Sequence, residues 1–193
     1  MTGQDTATVD FLYEVGLLKR YKRTGWTIAG VSAPESIADH SHRTAIAAAV
    51  IASMEGADPQ RAAFLALFHD TQETRLTDVP YVAKRYLKAA PNEEVTADQT
   101  AGLPEGLAEV IGDAVGEYEA RESRESVCAK DADRLECLLQ AVEYRAQGTD
   151  TQAWIDSSLA GLRTAAGRRL AEAALGRAPL AWMHRARDSK PEL

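Results

Sequence analysis

The chain of 193 residues is long enough to bury a sizeable core and is most economically one domain. Its 22 basic residues stand against 29 acidic ones for a formal net charge of −7, and no basic run exceeds two residues, so no nucleic-acid partner is expected, although a local cationic pocket for one phosphate remains compatible with the composition. No signal peptide and no apolar run approaching about 18 residues is present, and Cys128 and Cys137 form no Cys-x-x-Cys pair, which predicts a cytoplasmic protein with reduced thiols and no membrane partner.

Residues 1–7 are polar and are expected to fray. Over 9–20, Val9, Leu12, Tyr13, Val15, Leu17 and Leu18 recur mostly at three- and four-residue steps, which predicts an amphipathic helix. The stretch KRTGWTIAGVSAPES breaks that period with two glycines and a proline and reads as a long ordered loop or a short extended excursion. On their own, its Arg23 and Trp26 read as a solvated cation and a packed aromatic. Ser36 can cap a helix that carries His40 and stops at Glu55-Gly56; Asp58-Pro59 then caps and starts a second helix running to His69. Two helices joined by so short a turn usually pack antiparallel, which brings the start of the first near the end of the second.

Residues 80–89 predict another short helix ended by Pro91, and the acidic, broken segment PNEEVTADQTAGLPEG reads as a mobile flap. Helical periodicity returns over 103–118 and 126–145, where Leu135, Leu138, Leu139 and Val142 form an apolar stripe beside Asp133. After Thr151, one more helix carries Trp154, Ile155, Leu159, Leu162, Leu170 and Leu175, weakened by Gly161 and Gly167, and 180–187 can form a last turn or two before a polar end. No strand-like alternation persists and no internal repeat occurs. The expected fold is all-α: one helical-bundle domain over 1–193, with a core of about 9–147 and a C-terminal helical extension over 151–187.

The stretch ALFHDTQETRLTD, residues 66–78, gathers His69, Asp70, Glu73 and Asp78. Imidazole together with hard carboxylates suits Zn, Mn, Fe or Co, but one such pair is half a site. A lone His-Asp dipeptide is more often a helix-terminal histidine beside a capping or salt-bridged aspartate. Of the four histidines, His40, His42, His69 and His184, only His40 lies in another apolar-rich helical stretch at a suitable register, and Asp133 lies in a third. The ordered set His40, His69-Asp70, Asp133 resembles the HD-domain metal-dependent phosphohydrolases. RTGW, PESIADHS, HDTQE, the Asp78-Val79-Pro80 turn and KDADRLECLLQAVEY follow in the order seen in the 5′-deoxynucleotidase branch of that superfamily, a resemblance covering about 10–147.

The resemblance implies a single divalent metal ion (Co, Mn, Zn, Fe, Ni or Mg) on His40, His69, Asp70 and Asp133. It implies Arg23 for the substrate phosphate and Trp26 against the sugar. Glu73 would donate a proton and Asp78 orient and deprotonate water, the two roles being exchangeable. Dinuclear relatives add two histidines before the last aspartate; here none occurs from Thr71 through Ala132, which favours one metal and argues against an oxygenase. His42, two residues past His40, points about 200° away on a helix and reads as structural or exposed, and His184 as a surface residue. The cysteines read as packing residues. Three positions depart from the family pattern: Asp39 for a glutamate, Thr77 for a glycine, and Thr24-Gly25 between Arg23 and Trp26. The implied function is a 5′-nucleotidase acting on deoxynucleoside monophosphates; the alternatives are a phosphohydrolase for a modified nucleotide or other small phosphomonoester, and a non-catalytic nucleotide-binding module. Family precedent and the apolar residues of 151–186, Trp182 included, predict a homodimer.

Overall fold

The structure, a computed structural model, describes residues 3–188; Met1, Thr2 and the polar end beyond 188 lie outside the described residues. Three of the helices each begin where a side chain can satisfy free backbone amides. Helix α3 (Ile37–Glu55) opens on a reciprocal capping box between Ser36 and Asp39 and closes on Gly56 at φ 69°. Helix α4 (Pro59–Phe68) has Asp58 accepting from the amides of Gln60 and Arg61, with Pro59 in its first turn. Helix α9 (Arg124–Ala146) is capped by Ser123. These three pack around buried small residues, Ala48, Ala52, Ala62, Ala66, Ala129 and Ala132, between larger Ile51, Leu65 and Leu138. Small side chains at the crossings let the backbones approach closely, and the short α3–α4 turn makes them antiparallel, so His40 in the second turn of α3 meets His69 at the end of α4.

Around this centre lie α1 (Gly3–Val15), α2 (Thr24–Ile28), α5 (Glu73–Leu76), α6 (Tyr81–Lys84), α7 (Asn92–Thr100), α8 (Glu105–Ala120), α10 (Gln152–Gly161), α11 (Ala165–Leu175) and α12 (Ala181–Asp188). No β-strand occurs among the described residues, and one isolated bridge, Lys22 to Ser36, ties the α2 loop to the start of α3. The fold is all-α, as expected.

Several local expectations need correction. Of the fraying expected over 1–7, residues 1–2 lie outside the described residues and 3–7 are helix from Gly3, and the first helix passes into a 3-10 turn at Gly16–Lys19 instead of running on to Arg20. The loop expected around Arg23 and Trp26 holds the short helix α2. The helix expected over 80–89 is the single turn α6, with Tyr81, Val82, Tyr86 and Leu87 exposed. The expected flap is instead packed helix α7 against α8, burying Val95, Thr96, Gln99 and Thr100. Its buried face is mostly polar, which hid it from a search for apolar periodicity: Thr96 accepts from Gln72, and Gln99 donates to the Thr71 carbonyl and the Thr74 hydroxyl. The single helix expected after Thr151 is two, α10 and α11. Buried Asp131 of α9 accepts from the amides of Arg163 and Thr164 at the break, and Thr164 then caps α11. Ile155, Leu162, Ala166 and Ala171 join the central core, with Trp154, Leu159 and Leu170 packed on it, so the core continues through α11.

Candidate metal and catalytic centre

His40 and His69, both buried, face each other with Nε2 atoms 3.2 Å apart. Asp133 Oδ1 lies 3.4 Å from His40 Nε2 and 4.0 Å from that of His69, and Asp70 Oδ2 lies 3.6 and 3.1 Å from the same two atoms. The other ring nitrogens are engaged outward: His40 Nδ1 with Glu136 Oε2 at 2.5 Å, and His69 Nδ1 with the Ala66 carbonyl at 2.7 Å. Both outward partners are acceptors, so each Nδ1 carries hydrogen and the neutral rings turn Nε2 lone pairs on one another. Two imidazoles and two carboxylate oxygens thus converge with no donor between them. Ligands about 2.0–2.2 Å from one ion sit roughly 3.0–3.5 Å apart; these separations run from 3.1 to 4.0 Å, with three of the five inside that range. The ligand atoms of His40, His69 and Asp133 all lie within 4.8 Å of one another, and Asp70 Oδ2 approaches both imidazoles as closely. Burial and the Arg23 charge disfavour a charged His40, but Asp133 and Glu136 outweigh them and push its pKa up to about 10. The acidic surroundings thus favour positive charge at this centre.

Glu136 was not singled out by sequence reasoning. It is wholly buried, three residues after Asp133 on α9, and its Oε1 accepts from Arg43 Nε at 2.9 Å, while Arg43 also holds Gln140 and Glu143. A carboxylate behind a ligand imidazole fixes its tautomer and orientation. The signal lay in the helical spacing from Asp133, but only the approach of α3 to α9 gives Glu136 its partner.

A cavity of about 600 Å³ opens on the centre, lined by His69, Asp70, Asp133, Glu73, Asp78 and Arg23 among others. Glu73 begins α5; its Oε2 is buried without a hydrogen-bond partner, and burial together with the charge of Asp70 pushes its pKa up to about 9. The polar contacts of Gln72 and Thr74 with α7 hold the short helix that presents it. Arg23 Nη1 lies 3.5 Å from Asp70 Oδ2; burial disfavours its charge, but Asp70, Asp133, Asp78 and Glu73 hold its pKa above the ordinary value. Burial also opposes ionisation of Asp70, yet His69, Arg23 and His40 keep it below the carboxylate range. Asp78 Oδ2 accepts from the Thr24 amide at 2.5 Å and the Thr24 hydroxyl at 3.0 Å, tying the turn after α5 to the start of α2.

Trp26 borders the cavity but is only 2% exposed. Its Nε1 donates to Glu35 at 2.8 Å, and its ring packs edge-on against Tyr144 and tilted against Trp154. Trp154, Tyr118 and Lys130, none of them foreseen as site residues, also line the cavity. Cys137 does too, with its thiol pushed up to about 12 by burial, consistent with a packing role. His42 and His184 are exposed. The three family departures acquire local meanings: Asp39 completes the α3 capping box, Thr77 sits at φ 63° where glycine is unstrained, and Thr24-Gly25 forms the first turn of α2.

An all-helical bundle with a His-and-Asp centre at the bottom of a polar cavity defines a class of divalent-metal hydrolases. The chain belongs to the HD-domain family: the HD domain model matches residues 15–173. It is 38% identical over 138 residues to the 5′-deoxynucleotidase HDDC2 of Bos taurus, covering 70% of this chain and 67% of that protein. A conserved hypothetical protein of Pyrococcus furiosus superposes with a TM-score of 0.69 at 30% identity, covering 88% of this chain and 99% of its own. A protein of Magnetospirillum magnetotacticum, described as a predicted metal-dependent phosphohydrolase, superposes with a TM-score of 0.66 at 26% identity, covering 93% and 100% of the two chains.

Proposed function

We propose that the chain is a metal-dependent 5′-nucleotidase, a phosphoric monoester hydrolase that converts deoxynucleoside 5′-monophosphates to nucleoside and phosphate. The observation that carries this reading is buried Glu73, a carboxyl with an unpartnered oxygen and a pKa pushed up by burial, in the cavity lined also by His69, Asp70 and Asp133, with His40 packed behind them. The curated relative, named a 5′-deoxynucleotidase, supports the substrate class.

When bound at that donor set, one divalent ion would offset phosphate charge and lower the pKa of a water. The mixed nitrogen and oxygen donors suit Zn, Mn, Fe or Co. Arg23 offers the phosphate oxygens a planar donor fork. Glu73 supplies its proton to the departing 5′ oxygen, for which a carboxyl kept neutral at pH 7 is suited. Asp78, held at one oxygen by Thr24, orients the attacking water and accepts its proton. Trp26, backed by Trp154 and Tyr144, gives the sugar a rigid apolar boundary. Such a wall rejects an added hydroxyl by only about a hundredfold, so the deoxyribose preference is modest.

The proposal includes a cytoplasmic homodimer with no nucleic-acid or membrane partner. Both cysteines are free, the net charge is −7, and among the described residues no helix is long and apolar enough to cross a membrane. Since Ile155 and Leu162 lie in the core, the pairing surface shifts to the apolar groove where α1 meets α3 and α4, with Leu12, Ile46, Val50 and Leu67 exposed. The activity is tested by phosphate release from a panel of ribo- and deoxynucleoside monophosphates with Mn, Co, Zn or Mg added. No release from any of them with any metal rejects the reading, and equal rates on both sugars reduce it to a general phosphomonoesterase. Light scattering at micromolar concentration tests the dimer.

A further inference from the structure

We propose that Lys130 is a second phosphate-binding cation, acting with Arg23 to clamp the substrate's phosphate; this rests on the phosphomonoesterase reading above. Lys130 lies one turn before Asp133 on α9 and lines the same cavity as Arg23. Its Nζ is 3.4 Å from Asp133 Oδ2 and donates to the Tyr118 hydroxyl at 3.0 Å, over whose ring it sits. Arg23 bears the same relation to Asp70. The two cations are thus each attached to a different carboxylate of the metal centre.

An ion pair with Asp133 alone is an insufficient account of Lys130. Asp133 approaches the histidines through Oδ1, whereas Lys130 meets Oδ2, which the Tyr118 hydroxyl also holds at 3.3 Å. Tyr118 is buried, and its hydroxyl donates to that oxygen and can orient it by itself. An ammonium has three N–H bonds; one goes to Tyr118 and Asp133 Oδ2 is an ion-pair contact at 3.4 Å, which leaves donor capacity for a ligand oxygen. The charge balance points the same way. Asp70 and Asp133 would cancel a divalent ion and Asp78 offsets Arg23, so Lys130, together with Lys84 and Arg121 against Glu119 in the same lining, gives the cavity a net positive charge toward a phosphate dianion, and Lys130 is held against a carboxylate of the donor set. A lysine acts there as a point charge beside the planar fork of the arginine.

The test measures inorganic phosphate binding to the metal-loaded protein by calorimetry, alongside metal affinity by chelator competition, for the wild type, Lys130→Met, Lys130→Gln and Lys130→Arg. Phosphate affinity is expected to fall about tenfold to a hundredfold in the Met and Gln variants, the range for losing one charge-assisted contact, and to recover largely in the Arg variant, with metal affinity unchanged. Unchanged phosphate affinity in both uncharged variants overturns the proposal. So does a loss of metal affinity as large as the loss of phosphate affinity, which would make Lys130 only a support for Asp133. A wild type that binds phosphate through Lys130 but hydrolyses no nucleotide would reject the nucleotidase reading and keep this one. A wild type that hydrolyses deoxynucleotides while Lys130→Met binds phosphate normally would do the reverse.

Discussion

The floor and the rim of the cavity are built differently. His40, His69 and Asp133 stand on α3, α4 and α9, long capped helices packed through buried alanines, and His40 is braced by Glu136 and Arg43. Arg23, Trp26 and Asp78 stand on or beside α2, α5 and α6, helices of five, four and four residues. What fixes them is a few specific bonds: Thr24 to Asp78, the Arg23 amide to the Glu35 carbonyl, and Trp26 to Glu35. Helices this short have no stability of their own, so the rim keeps its shape only by leaning on the floor. The centre proposed to hold an ion sits where packing is strongest, and the groups proposed to choose a substrate sit where a few residues can change without disturbing the core.

The sharpest way to break this contrast is at the floor. His69→Ala or Asp133→Ala should abolish both metal retention and turnover, with some loss of stability because buried polar partners are left unpaired. A folded Asp133→Ala protein that retains its full metal content, measured by elemental analysis, would remove the centre as assigned. Glu73→Gln comes next. It should lower kcat by roughly a hundredfold to ten-thousandfold with KM little changed, since the proton matters in the transition state. The sign of the pH effect follows from its raised pKa: the wild-type rate should fall as pH rises through about 9, where the neutral acid is lost, and the variant should lack that limb. A cation in the centre would move this limb to lower pH without reversing it. A Gln variant with the same basic limb would assign the proton to another group.

At the rim, Arg23→Ala should reduce kcat/KM by about tenfold to a hundredfold for ribo- and deoxynucleotides alike, with metal content unchanged. Loss of metal in that variant would show that rim and floor are one unit through the Arg23 contact with Asp70. The smallest effect is expected at Thr77, held at φ 63° and ψ 164°, a region that is essentially glycine's. Thr77→Gly should stabilise by about 1 kcal/mol, raising Tm by roughly 2–4 °C. A lower Tm would mean that the threonine side chain contributes more than its backbone strain costs.

What could be read from the amino-acid order was what depends on neighbours in the chain. The caps at Ser36 and Asp58-Pro59, the stop at Gly56 and the apolar stripe on α9 are local signals, and they place His40, His69 and Asp133 on three helices before any packing is known. The set His40, His69-Asp70, Asp133 was legible for the same reason, since residue types in order can be matched without coordinates. Trp26 was legible as a residue of the pocket but not as one almost wholly buried at its border, because its partners Glu35, Tyr144 and Trp154 come from separate parts of the chain. Asn92–Thr100 was misread as a flap because its buried face is hydrogen-bonded rather than apolar, and a polar face reads as buried only once Gln72 and Thr74 are seen against it. The same holds for Glu136 and Lys130. Helical spacing puts both on the Asp133 side of α9, but α3 supplies the imidazole that Glu136 braces and α8 supplies the tyrosine that Lys130 meets. Local chemistry is written in short stretches of sequence, whereas the burial and partnering that turn a carboxylate into an acid or a lysine into an anion site arise only when distant helices close on one another.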